Sequence, residues 1–186
     1  MGRKFLGNEY EVRGDITAIK LRRRDGTIIE SIIDTADLEK VKSFNGSWYF
    51  GSRKTKSGTF YVQGHMAAVM GKRKFVALHR YIMDCPSGLV VDHINHDTMD
   101  NRRKNLRIVT SVQNGQNRLM AKNNTSGYTG VCWNKKAQKW RAYVRNGDDF
   151  MICGNYKDPH IAGRVASLVR SLVHPYSEDA LKEENK

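Results

Sequence analysis

The sequence predicts an α+β protein, and three observations carry that expectation. Short runs of β-branched and aromatic residues recur between turn signals along much of the 186-residue chain. Helical spacing of apolar residues is confined to a few stretches. One segment, 89–121, reads as strand, strand and helix in immediate succession.

Residues 15–33 read as a hairpin in which Asp25-Gly26, a strong turn signal, separates Ile16, Ala18 and Lys20 from the run Thr27 to Ile33. A short helix is expected across 36–43, then aromatic-rich strands at 48–50 and 59–62. The basic loop 51–58 between them reads as solvated, with phosphate contact as its alternative. Helical spacing over 75–84 stops before the turn Pro86-Ser-Gly88. Leu89 to Ile94 is a short strand, 95–105 a polar loop, and Leu106 to Val109 a second strand. Thr110-x-x-Gln113 has the form of a capping box and opens a helix to about Ala121.

Asn123 to Gly127 reads as a linker, followed by strands over 128–133, 139–145 and 150–155. Asp158 as N-cap and Pro159 at the first helical position start a last helix. Ile161, Val165, Leu168, Val169 and Leu172 give that helix an apolar stripe. The expected division is a β-rich region over 1–74, a ββα core over 75–122, a sheet-and-helix module over 123–176 and an acidic tail over 177–186.

Thirty-two Lys and Arg against nineteen Asp and Glu leave a formal net charge of +13. Such an excess attracts polyanions, and counterion release makes nucleic acid the usual partner. The longest unbroken apolar run, Met66 to Met70, is far below the ~18 residues of a spanning helix, and no signal-peptide core is visible, so no membrane is expected. Cys85, Cys132 and Cys153 form neither a disulfide framework nor a zinc pair, which suits a reducing cytoplasm.

The chemistry-bearing segment runs from Val90 to Arg118. Phosphodiester hydrolysis needs a base for water and an electrophile for the phosphoryl oxygens. A histidine can take the proton near neutral pH, and a hard divalent cation on few oxygen ligands can supply the rest. Asp92 and His93 are adjacent at a strand end, so their side chains diverge. Leu78-His-Arg80, Val91-Asp-His-Ile-Asn95, Asp100-Asn-Arg102, Asn105-Leu-Arg107 and Thr110-x-x-Gln-Asn114 together closely resemble the phage HNH endonucleases, including intron-encoded homing enzymes. From His93 the interval is twelve residues to Asn105 and twenty-one to Asn114.

The resemblance implies a ββα-metal core acting on double-stranded DNA. It makes His93 the general base, Asp92 and Asn114 ligands of one divalent cation (Mg2+, with Mn2+ as the alternative), and Asn105 the residue that pins the loop and orients the base. No small-molecule cofactor is implied, and a monomer or weak dimer is expected. For a phage protein the compartment would be the bacterial host cytoplasm. His96 departs from the family pattern, which often has glycine there; a tolerated turn residue is the reading, with metal or phosphate contact as the alternative. His79 is assigned packing or polar support, outside the catalytic set.

Around this loop Arg102, Arg103, Lys104, Arg107, Arg118 and Lys122 stand against Asp100 alone, a net +5 over 98–122. All but Lys122 are taken as candidate DNA-backbone contacts. A second resemblance is carried by Ser126-Gly-Tyr-Thr-Gly-Val-Cys-Trp133, Lys139 to Arg145 and Gly154-Asn-Tyr156. These are similar to an Apetala2-type domain, in which a helix-backed three-stranded sheet enters the major groove. Alternation puts Trp140, Ala142 and Val144 on one face and Arg141, Tyr143 and Arg145 on the other. The latter face, extended by Trp133 and Lys135, is the expected groove surface. Three rival readings remain: a non-catalytic DNA-binding regulator on an HNH scaffold, an RNA-binding protein, and a toxin-like nonspecific nuclease.

Overall fold

The structure is a computed structural model describing residues 7–23, 25–51, 59–69, 72–177 and 179–180, with 66–69 and 72–74 as backbone alone. Most of the basic loop expected over 51–58, Met70 at the end of the apolar run and most of the acidic tail lie outside the described residues. Sheets and helices are both present, as an α+β fold requires. The chain divides after Val109 into two compact units. The boundaries expected at 74/75 and 122/123 do not coincide with that division.

In the first unit β1 (Glu9–Arg13), β2 (Ile16–Arg22) and β3 (Ile28–Asp34) form an antiparallel sheet in that order. The β2–β3 turn closes through Gly26 at φ +85°, a left-handed backbone that costs glycine nothing. β1 was not expected: Tyr10 and Val12 do alternate with charged residues, but the strand is short and mostly solvent-facing. A 3₁₀ turn (Thr35–Asp37) and α1 (Leu38–Lys42) follow. A second antiparallel sheet has β5 (Val62–Val69) at its centre, between β4 (Trp48–Phe50) and β6 (Lys72–Ala77).

The helix expected over 75–84 is thus shorter: Phe75, Val76 and Ala77 pair with His65, Gly64 and Gln63, and α2 covers only Leu78–Ile82. A short apolar run satisfies helix and strand alike, and here the neighbouring strand decides. β7 (Val90–His93) and β8 (Leu106–Val109) form a two-stranded ribbon. One core joins these parts: Ile19, Leu21 and Ile33 from the first sheet meet Trp48 and Val62 from the second, Leu78 and Ile82 from α2, and Val91 and Leu106 from the ribbon.

The second unit starts with α3 (Ser111–Gln116), opened by the capping box: Gln113 N donates to Thr110 Oγ1 and Thr110 N to Gln113 Oε1. It ends five residues before the expected Ala121, with Asn117 buried at its C-cap. The expected linker is an ordered turn, in which Asn124 Oδ1 accepts from Ser126 N at 2.8 Å and Gly127 N at 2.9 Å. β9 (Val131–Asn134), β10 (Lys139–Asn146) and β11 (Asp149–Tyr156) form an antiparallel sheet with β10 central. α4 (Pro159–Val173) packs on it, its N-terminus capped by Asp158.

The face that α4 buries is not the expected one. Ala162, Gly163, Ala166 and Arg170 face inward, whereas Ile161, Leu168 and Leu172 are 50%, 61% and 75% exposed. The helix lies too close to its neighbours for large side chains. A Cβ on Gly163 would sit 2.3 Å from the Tyr128 ring, whose hydroxyl is itself held by His160 Nδ1. Gly163→Ala is therefore expected to lower stability by about 1–2 kcal/mol, overpacking outweighing the helix-propensity gain of roughly 1 kcal/mol. Adding Tyr128→Ala should return that gain; a single Gly163→Ala variant that melts higher than the wild type would contradict the packing described.

Candidate active site

β7 brings Asp92 and His93 to the end of the ribbon on opposite strand faces, across from Arg107 and Leu106. Both are buried, at 8% and 5% exposure. Arg107 donates from Nε and Nη2 to Asp92 Oδ2 at 2.9 and 2.8 Å, forming a largely buried ion pair. His93 Nε2 lies 3.2 Å from Asn101 Oδ1. Burial holds the His93 imidazole below its ordinary pKa despite its hydrogen bond to Asn101 Oδ1 and the charge of Asp92, which act the other way.

The loop between the strands is tied at both ends by Asn105. Its Oδ1 accepts from Asn95 N at 3.0 Å, its Nδ2 donates to Asp100 O at 2.8 Å, and its own carbonyl accepts from Ile94 N at 2.9 Å. His96 adopts φ +63°, the left-handed region, so glycine is the unstrained residue at this turn.

Two aromatic neighbours stand beside His93. The His79 ring stands edge-on at 5.0 Å, and the Tyr61 ring at 5.9 Å, in contact with His79 as well. His79 is buried, its Nδ1 has no hydrogen-bond partner among the described residues, and burial pushes its pKa down to about 3, with the charges of His93 and Arg80 adding to the fall. Burial, and then the charge of Asp92, raises the Tyr61 phenol. Tyr61 and Asn101 escape sequence reasoning as functional residues. Asn101 does sit inside the Asp100-Asn-Arg102 pattern, whereas nothing local marks Tyr61.

Several expected backbone-contacting residues have partners inside the protein. Arg102 donates from Nε and Nη2 to Asp100 at 2.7 and 2.6 Å, which holds that carboxyl below its usual range. Arg103 forks onto Asp37 at 2.9 and 2.7 Å, and its backbone N donates to Asp34 Oδ2 at 2.7 Å. Arg107 is taken by Asp92, while Lys104 stands exposed.

Asn114 lies on α3 and Arg118 just beyond it, exposed, in the second unit. On the sheet of that unit, Ala142 and Val144 are buried against α4, with Arg141, Tyr143 and Arg145 alternating to the other face. Tyr143 stacks on Phe150 at 4.9 Å, and the Arg145 guanidinium lies 5.8 Å from the Phe150 ring. Trp133 does not extend this surface. Register places it opposite Trp140, on the helix-side face, and Cys132 opposite Arg141 instead. Lys135 is exposed in the turn between β9 and β10.

The Asp92 carboxylate is a hard oxygen donor of the kind a divalent cation takes. Among the described residues no group of three or more His, Cys, Asp and Glu forms a metal cluster. No helix there is long and apolar enough to cross a membrane.

Residues 77–116 match the family model of the HNH endonucleases. The chain is 36% identical over 59 residues to Protein 3.8 of Escherichia phage T7, a stretch covering 32% of this chain and 49% of that protein. It thus spans about half the length of the curated relative it matches. No solved structure matches the chain. The segment containing Asp92, His93, Asn105 and Asn114 thus lies within the HNH match, and the chain has a phage relative.

Proposed function

We propose that the protein is a DNA endonuclease that hydrolyses phosphodiester bonds, with His93 as general base. The observation that carries this reading is the His93 imidazole, oriented by Asn101 and placed beside Asp92, within the segment that matches the HNH endonucleases. Burial keeps the ring unprotonated at neutral pH, the form that accepts a proton. In the proposed reaction His93 takes a proton from water as the water oxygen bonds to phosphorus. The bond from phosphorus to the 3′ oxygen breaks, and that oxygen takes a proton from solvent, leaving 5′-phosphate and 3′-hydroxyl ends.

A divalent cation, Mg2+ or Mn2+, bound at Asp92 with Asn114 as the second ligand that the resemblance implies, would supply the positive charge for the phosphoryl oxygens. Asn105 keeps the loop closed around the base. For duplex binding, Lys104, Lys135 and Arg118 offer exposed cations, and Arg141, Tyr143 and Arg145 a groove-facing sheet surface. The Apetala2 likeness of that sheet belongs to this proposal, as do a homing role and the host cytoplasm as the working compartment.

A supercoiled plasmid incubated with the full chain tests the reading. Conversion to open circles with Mg2+, abolished by a chelator, is the expected result, nicking being the simplest outcome of one site. Sequencing the ends would show target preference and strand number. Tight duplex binding with no cutting under any divalent cation would instead favour a regulator.

A further inference from the structure

Asn101 is completely buried beneath the candidate site, and its carboxamide has only one workable orientation. One end of the amide faces Thr98 O at 3.1 Å and Ser31 Oγ at 2.9 Å; the other faces His93 Nε2 at 3.2 Å. The Thr98 carbonyl can only accept. The Ser31 hydroxyl spends its hydrogen on Met99 O at 2.9 Å, so it too offers a lone pair to Asn101. Two acceptors on one side require the NH2 group there, and they place the carbonyl oxygen against His93. That oxygen accepts only, so Nε2 must carry the hydrogen. A neutral imidazole carries a single N–H, and its lone pair is then on Nδ1.

We infer that Asn101, itself set by Thr98 O and Ser31 Oγ, is a positioning residue that holds His93 as the Nε2–H tautomer and makes Nδ1 the basic nitrogen. The tautomer rests on these hydrogen bonds alone; only its kinetic consequence rests on the reading of His93 as a base. Ser31 belongs to β3, seventy residues before Asn101 in sequence. The same strand docks the loop through Ile32 N to Met99 O at 2.9 Å and Asn101 N to Ile32 O at 2.8 Å. The N-terminal sheet thereby sets which nitrogen of the base is available, without touching the reacting atoms.

The test uses the full chain with 15N-labelled histidine, read at pH 8 by long-range proton–nitrogen correlation, with His93 signals assigned from a His93→Gln variant. Wild type should show Nε2–H at His93. Asn101→Ala should shift His93 toward a mixture of tautomers and lower kcat by roughly 10–100-fold, the scale for losing a supporting hydrogen-bond partner, with KM within about twofold of wild type; Ser31→Ala, which leaves Thr98 O as an acceptor, should have the smaller effect. Should Asn101→Ala fail to fold, the wild-type spectrum decides alone.

Nδ1–H in the wild type overturns the inference. So does a folded Asn101→Ala protein that keeps a pure Nε2–H signal, whatever its kcat. If His93→Gln cleaves as fast as wild type, the nuclease assignment of His93 falls, while the spectra still judge the tautomer.

Discussion

His93→Ala is expected to slow cleavage by roughly 10²–10⁴-fold, the span that a positioned general base contributes, with duplex affinity unchanged. The imidazole is buried, so it can add little to a surface that holds the backbone of a duplex. The substitution also strips Asn101 Oδ1 of its donor, a stability cost of about 1–3 kcal/mol. Circular dichroism and a filter-binding isotherm should therefore accompany the cleavage assay. A folded, DNA-binding His93→Ala protein that cuts at the wild-type rate would end the assignment.

The second large effect is on stability against pH. His79 titrates near 6.5 in the unfolded chain and about 3 in the fold. Between these values the unfolded chain binds a proton that the folded chain refuses. Stability should be level above about pH 6.5 and fall as pH drops, by roughly 1–2 kcal/mol per unit. The fall should continue until the folded group protonates near pH 3. His93, also depressed by burial, adds in the same direction. Urea unfolding from pH 8 to 4.5 measures the slope, and His79→Phe, which packs without titrating, should reduce it. A flat profile in the wild type, or an unchanged slope in His79→Phe, would refute the account.

What the sequence disclosed were features written in neighbouring residues. β8 occupies 106–109 as expected, the Thr110–Gln113 box opens α3, and Asp158 caps α4. The resemblance to the HNH endonucleases, carried by residue types at matching intervals, singled out Asp92, His93, Asn105 and Asn114. Decisions made by distant partners stayed hidden. Nothing near Arg103 in sequence reveals its partner Asp37, sixty-six residues earlier. Trp133 reads as part of the groove surface until register sets it opposite Trp140. The stripe on α4 is a genuine periodicity, but the proximity of Tyr128 at Gly163 selects the small-residue face for burial.

The loop from Asp97 to Asn105 leans on β3 and on the turn after it, through Ser31, Ile32, Asp34 and Asp37. The stretch recognisable as HNH, residues 77–116, is therefore smaller than the body that gives it shape. Kinship and cohesion have different borders in this chain. Changes around residues 31–37 would register as defects in chemistry, though that strand lies wholly outside the recognisable motif.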